Sequence, residues 1–381
     1  VQANASLKVA AVPSGNALIK AIAFHLPQFH PIPENDRWWG KGFTDWTNTV
    51  KAKPQFKGHY QPHLPADLGF YDLRLAEARQ AQADLARDYG IHGFCYYHYW
   101  FNGRRLLERP VNEVISSGRP DRPFCLCWAN ENWTRRWDGQ ENEILMEQIY
   151  SAADDEEHIR HLIPAFSDPR YIKVEGKPIF LVYRTNWLPD PVRTTEIWRR
   201  EATRAGLPGL YLVRVESLPE LTGDPRPLGF DSALEFQPRW QLQQGLRIYR
   251  RKWWHRNRLG TGEPGFTKFN VCEYERFAQA AMDMAPPSYP LIRGVCVGFD
   301  NTSRRQSGGV ILKDSTPEAY GRWLASVVRA NGSRKLEPAP EAQFVFINAW
   351  NEWAEGNHLE PCRKWGRAYL EATRDALKQQ V

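Results

Sequence analysis

Eight short apolar runs, most of them separated by helical patterns, constrain what this chain can fold into more than any other feature. They are Ile19–Phe24, Gly93–Tyr97, Phe124–Trp128, Ile179–Tyr183, Gly209–Val215, Ser232–Phe236, Gly294–Phe299 and Phe344–Ala349. Each is short and rich in β-branched or aromatic residues, as a fully buried strand must be. Between the first two, Asp72–Tyr89 places Leu75, Ala78, Leu85 and Tyr89 on one helical face, and Gly90 stops the helix. Similar patterns cover Leu106–Ile115, Ser151–Phe166, Val192–Ala205, Tyr274–Ala285, Pro317–Ala330 and Arg367–Lys378. Buried strands alternating with amphipathic helices predict a parallel sheet covered by helices, hence the α/β class. The count of eight predicts a closed (β/α)8 TIM barrel with long β-α loops over residues 19–381, preceded by an N-terminal extension, 1–18. An open doubly wound sheet is the competing architecture, but no GxGxxG or phosphate-binding loop follows the first run.

In such a barrel the chemistry gathers at the C-terminal ends of the strands. Here those ends carry His25 to His30, His98-Tyr99-Trp100, Asn130-Glu131-Asn132-Trp133, Tyr183-Arg184, Glu216, Glu235, Asp300-Asn301 and Asn351-Glu352, whereas the strand starts are plain. The last run closes on Glu352 and Glu355, two carboxylates among tryptophans and asparagines. Neighbouring carboxylates resist ionising together, which separates their pKa values as an acid/base pair requires. On a helical turn their Cβ atoms would lie about 5–6 Å apart, near the roughly 5–5.5 Å between carboxyls in retaining glycosidases. A helix cap or a pair with Arg363 or Arg367 is the purely structural reading of the same residues. Asp45, Glu131, Asp138, Glu216, Glu235 and Asp300 are further acids, of which Glu131 and Asp300 stand closest to strand ends.

The chain holds 16 Trp, and many stand beside polar residues in loops. Rings outside strand interiors point to an aromatic-lined small-molecule or glycan cleft. The first long connection, Pro31 to Tyr71, carries Trp38, Trp39, Asp45, Trp46, His59 and His63, and is expected to wall that cleft. The second, Pro238 to Thr267, contains a basic-aromatic tract at 247–256 that suits either an anionic partner or a solvated surface.

Other classes are disfavoured. A net charge of +6 without a nucleic-acid motif argues against nucleic-acid binding, and no run of about 18 apolar residues suits a membrane span. No HExxH or GxSxG motif occurs. His25, His30 and His98 can meet at the barrel mouth, but sugar hydroxyls use the same side chains, so no metal or other cofactor is expected. All six cysteines read as free thiols, which favours a cytoplasmic location, with a periplasmic or secreted one as the alternative. The chain opens on Val1 rather than Met, so removal of an upstream segment stays open.

Several stretches are long and specific: Leu26 to Asp36, Trp38 to Asn48, Gly93 to Phe101, Trp128 to Asp138, and Trp350 to Pro361 with its Asn-Glu-Trp-Ala-Glu-Gly core. On these the chain resembles the WbsX-like family, related to glycoside hydrolase family 99, the endo-α-mannosidases, from about Ile22 to Leu377. The resemblance implies a (β/α)8 barrel and metal-free, retaining cleavage of α-mannoside-type linkages. It implies that Glu352 deprotonates the sugar 2-hydroxyl, which attacks its own anomeric carbon to give a 1,2-anhydro sugar. Glu355 then protonates the leaving oxygen and later activates water; such substrate-assisted routes are known departures from the two-carboxylate scheme. The chain departs from the family pattern at Ala354, where the endo-mannosidases usually carry His, and at Asp45 and Cys362, usually Glu and Asp.

The resulting expectation is a retaining α-glycosidase acting on manno-configured residues, α-mannoside or α-D-rhamnoside, of a bacterial oligo- or polysaccharide. Glu352 and Glu355 are its catalytic pair. Tyr97, His98, Trp128, Asn130, Glu131, Asp300 and Asn351 shape the sugar site, with Trp46 and Trp133 as stacking platforms. A glycosyltransferase of surface-polysaccharide (O-antigen) biosynthesis is the rival; against it, the chain has no Asp-x-Asp metal motif and no Rossmann-type glycine loop.

Overall fold

A computed structural model describes residues 19–135, 140–248, 265–332 and 343–379. The expected extension 1–18, residues 249–256 of the basic tract, Trp137 and Asp138 lie outside the described residues.

The barrel strands are β1 (Lys20–His25), β2 (Ile91–Phe101), β3 (Phe124–Trp128), β4 (Lys177–Val182), β5 (Tyr211–Val215), β6 (Ser232–Leu234), β7 (Leu291–Cys296) and β8 (Phe344–Asn348). Each pairs in parallel with the next, and β1 closes the ring by pairing with both β2 and β8. Ala21 therefore stands opposite Val345 on one side and Ile91 on the other. Helices Ala76–Asp88, Arg109–Ser117, Ala152–Ser167, Pro191–Arg204, Tyr274–Met282, Pro317–Gly332 and Ala368–Lys378 pack outside the ring. Between β5 and β6 the described chain makes only the short 3-10 turns Pro219–Leu221 and Arg226–Leu228.

The C-terminal ends of β2 and β7 differ most from expectation. β2 continues past Tyr97 to Phe101 because its end folds back on Arg104–Leu106 as a hairpin. β7 stops at Cys296, and Phe299–Asp300 pairs antiparallel with Val310–Lys313 instead, which itself runs parallel to Asn270–Glu273. Gly294 on β7 lies so close to the Glu235 carbonyl that a Cβ would collide with it. Inside the ring, Phe24 stacks on Tyr97 with centroids 5.4 Å apart and meets Phe236 and Phe346 at 5.4 and 5.6 Å. Tyr183 joins this layer through Phe236 at 5.3 Å. Rings from separate strands thus fill the barrel, as its geometry demands, and floor whatever lies above.

Candidate active site

Just past β8 the chain makes a tight hairpin: Asn351 pairs with His358 and Glu352 with Asn357. The turn it encloses is the 3-10 segment Trp353–Glu355, closed by Gly356 at φ 55°. A side chain at Gly356 would also crowd His63 and Asp300, so glycine is required there twice over. Asn351 fastens the hairpin to β1, accepting from Leu26 N at 2.7 Å and donating to Leu26 O at 3.0 Å. Trp353, between the two glutamates, is fully buried; it stacks on His358 at 3.8 Å and donates from Nε1 to Glu360 Oε2 at 2.7 Å. Glu352 and Glu355 are thereby held on one rigid turn and face the same cavity.

One guanidinium organises their charge. Arg304 Nη1 donates to Glu355 Oε1 at 2.9 Å, while Nη2 donates to both oxygens of the buried Asp45 at 2.9 Å. Glu352 Oε2 lies 3.6 Å from Nη2, a longer ion-pair contact than the 2.9 Å to Glu355. Burial, and then the charge of Glu355, push the Glu352 carboxyl well above its ordinary value, against the pull of Arg304. Burial also raises Glu355, which Arg304 opposes and Asp45 reinforces. The Glu355 side chain is 24% exposed and that of Glu352 only 8%, so desolvation bears harder on Glu352. Two such carboxyls hold a proton between them more readily than both ionise.

The cavity encloses about 840 Å3, within the range of small-molecule sites. Its walls include Tyr97 and Tyr99 from β2, Trp39, Trp133, Tyr183, Trp187, Phe236, Trp240 and Phe299, with Gln28, Glu131, Asn132, Arg184, Asn301, Arg304 and Arg305 as polar members. Of the catalytic and sugar-site candidates, Glu352, Glu355, Tyr97, Glu131 and Trp133 line it together. Glu131 is bound by Arg184 Nη2 at 2.7 Å and Nε at 2.9 Å.

The remaining candidates stand behind the wall. Trp46 packs on Phe29, Tyr71 and Trp353, and its Nε1 donates to Tyr71 O at 2.9 Å. Trp128 donates to Trp100 O, and His98 meets His158 Nε2 at 2.9 Å outside the ring, because these positions alternate with inward-facing Tyr97. Asn130 clamps the Arg184 backbone, accepting from its N at 2.7 Å and donating to its O at 2.9 Å. Asp300 accepts from Gln61 at 2.7 Å and from Thr302, and meets His59 at 2.5 Å. Burial would raise Asp300, but the bonds from His59 and Thr302 hold it below the usual carboxylate range. Asn351 is the strut to β1 described above. Glu216 and Glu235 are bound by Arg239, and Glu235 also by Arg293.

His25 meets Gln82, and burial lowers it to about 4. Among the described residues no three His, Cys, Asp or Glu side chains are grouped to hold a metal ion. All six cysteines are buried and free. No helix among the described residues is long and apolar enough to cross a membrane. Sequence reasoning gave Arg304 no role and named Arg184 only as one of the strand-end residues. An arginine in a polar loop, as Arg304 is, gives no signal alone; Arg184 had one in its position just past β4.

The family model described as Glycosyltransferase WbsX matches residues 21–373. The chain belongs to the WbsX family. Among relatives of this WbsX member, the uncharacterized protein WxcX from two strains of Xanthomonas campestris pv. campestris is 44% identical over 357 residues, covering 93% of this chain and 49% of the relative. The chain thus spans about half the length of the curated relatives it matches. Among solved structures, the GH99 endo-α-mannosidase of Bacteroides thetaiotaomicron superimposes with a TM-score of 0.55 at 14% identity, covering 94% of this chain and 97% of that one. A glycoside hydrolase-like protein gives 0.57 at 12% identity, covering 97% of each chain. At such identities the likeness establishes the WbsX member's barrel fold.

Proposed function

We propose that this barrel is a retaining α-glycoside hydrolase acting on manno-configured residues, α-mannoside or α-D-rhamnoside, of a bacterial polysaccharide. The observation that carries the reading is the pair Glu352 and Glu355, held on one turn, coupled through Arg304 and facing an aromatic-walled cavity. The fold shared with a GH99 endo-α-mannosidase supports it.

A manno-configured ring has an axial 2-hydroxyl trans to an α leaving group. Glu352 takes the 2-hydroxyl proton, O2 attacks C1, and Glu355 gives its proton to the departing glycosidic oxygen. Glu355 then deprotonates a water that opens the 1,2-anhydro ring at C1, and Glu352 returns a proton to O2. Two inversions at C1 leave the configuration retained. Trp133 is the candidate stacking platform, and Tyr97 and Glu131 are candidates to meet sugar hydroxyls. Asn351, Asn130, Asp300, Trp128, His98 and Trp46 support the site from behind.

The description of the family as glycosyltransferases favours a second reading, transfer from an activated sugar. Incubating the protein with aryl α-mannosides and, separately, with GDP-mannose and an acceptor glycan decides between them. Hydrolysis predicts free mannose from the first, lost in Glu355→Gln, and no GDP from the second. Acceptor-dependent GDP release with inert aryl mannosides refutes the hydrolase.

A further inference from the structure

The two glutamates are not placed symmetrically about the cation that serves them. Arg304 sits in a fixed loop: its N donates to Asn301 O at 3.1 Å, and Asn301 Oδ1 accepts from Val310 N at 2.9 Å. Next to it, Ser303 Oγ donates to Ala354 O and so ties the loop to the catalytic turn. Asp45, the first residue of helix Asp45–Lys51, is fully buried and receives Nη2 on both oxygens. Anchored from both sides, the guanidinium reaches Glu355 at 2.9 Å and leaves Glu352 at 3.6 Å. A hydrogen bond to a charged group is worth about 1.5–3 kcal/mol, enough to decide where a shared proton rests.

We propose that Arg304, anchored by Asp45, is the positioning residue that allocates the proton shared by Glu352 and Glu355, placing it on Glu352 while no sugar is bound. Of the other groups facing the pair, Arg305 reinforces this bias. Tyr97 and Tyr99 from β2 stand near Glu352, and Tyr183 after β4 stands near Glu355; burial keeps all three phenols neutral. Arg305 adds positive charge on the side of Glu355. Beneath Gly356 lie His63, lowered to about 4 chiefly by burial, and the ionised Asp300.

The consequence rests on the hydrolase reading, which needs the opposite allocation: an ionised Glu352 and a protonated Glu355. A sugar 2-hydroxyl donating to Glu352 stabilises its anion. The O–H bond on Glu352 then breaks and one forms on Glu355, with Arg304 Nη2 closing its 3.6 Å gap. The substrate itself arms the acid, and the empty site stays disarmed.

The test is a pH titration of the sugar-free protein carrying 13C-labelled glutamate carboxyls, with signals assigned through Glu352→Gln and Glu355→Gln. In the wild type the Glu355 midpoint is expected below that of Glu352. Arg304→Gln should raise the Glu355 midpoint by about one to three pH units, and Arg304→Lys, which keeps the charge, by less. A folded Arg304→Gln protein with an unmoved Glu355 midpoint overturns the proposal. If that variant does not fold, the wild-type order decides alone: Glu355 titrating above Glu352 overturns it. The predicted order in a protein inert toward α-mannosides would sink the hydrolase reading and leave the allocation standing.

Discussion

Replacing Trp353 with Phe removes one hydrogen bond beneath the two glutamates, and the structure fixes how its cost depends on pH. The indole Nε1 donates to Glu360 Oε2 at 2.7 Å, alongside Tyr71 OH at 2.8 Å, while Gln82 Nε2 donates to Oε1 at 2.6 Å. Burial raises the Glu360 carboxyl from 4.5 to about 7, although these donors favour its ionised form. A folded-state value above the unfolded one means stability that is full below about 4.5 and is lost as the pH climbs through about 7. The lost donor matters least when Glu360 is protonated, where a neutral bond contributes about 1 kcal/mol, and most when it is ionised, where the figure is about 1.5–3 kcal/mol. An unfolding entropy of about 2.1 cal/mol/K per residue over 381 residues makes 1 kcal/mol worth only a little over one degree. In thermal melts the lost hydrogen bond alone should therefore lower Trp353→Phe by about 1 °C at pH 5 and by about 2–4 °C at pH 9. The loss of ring volume shifts both values equally, so the difference between them is the diagnostic. Equal deficits at the two pH values refute the placement of an ionising Glu360 under the Trp353–Glu355 turn.

Two further outcomes follow from packing. Gly294→Ala drives a methyl group into the Glu235 carbonyl inside the barrel wall, and should cost more than about 3 kcal/mol or abolish soluble expression; denaturant titration that leaves the midpoint unmoved contradicts the close approach of β6 and β7. Trp133→Ala removes a ring that lines the cavity against Tyr99 and Trp38. If the ring stacks on sugar equally in ground and transition states, steady-state kinetics will show KM about tenfold higher (about 1.4 kcal/mol) with kcat nearly unchanged; a fall in kcat alone contradicts that role.

The barrel was legible because buried parallel strands leave an uninterrupted apolar signature, and β3 coincides with its expected run. Strand ends were less so: whether Phe299 extends β7 or starts a hairpin depends on its pairing with Leu312, a distant partner. The glutamate pair was readable because both acids sit on one local turn. His98, Trp128, Asn130 and Asn351 illustrate the opposite case. Trp128, Asn130 and Asn351 stand at or just past a strand end and His98 within the extended β2, but pleat alternation and backbone clamping turn them away from the cavity. Arg304 reaches the acids only because a small second sheet and Asp45, from a far segment, hold it there. No short-range pattern encodes such a contact.

The most direct measurement is the anomer first formed when the protein cleaves an α-mannoside, followed by proton NMR before mutarotation. Attack by the sugar's own 2-hydroxyl followed by water predicts α-mannose as the initial product. An initial β-anomer would mean a single direct displacement, and would contradict the roles given to Glu352 and Glu355.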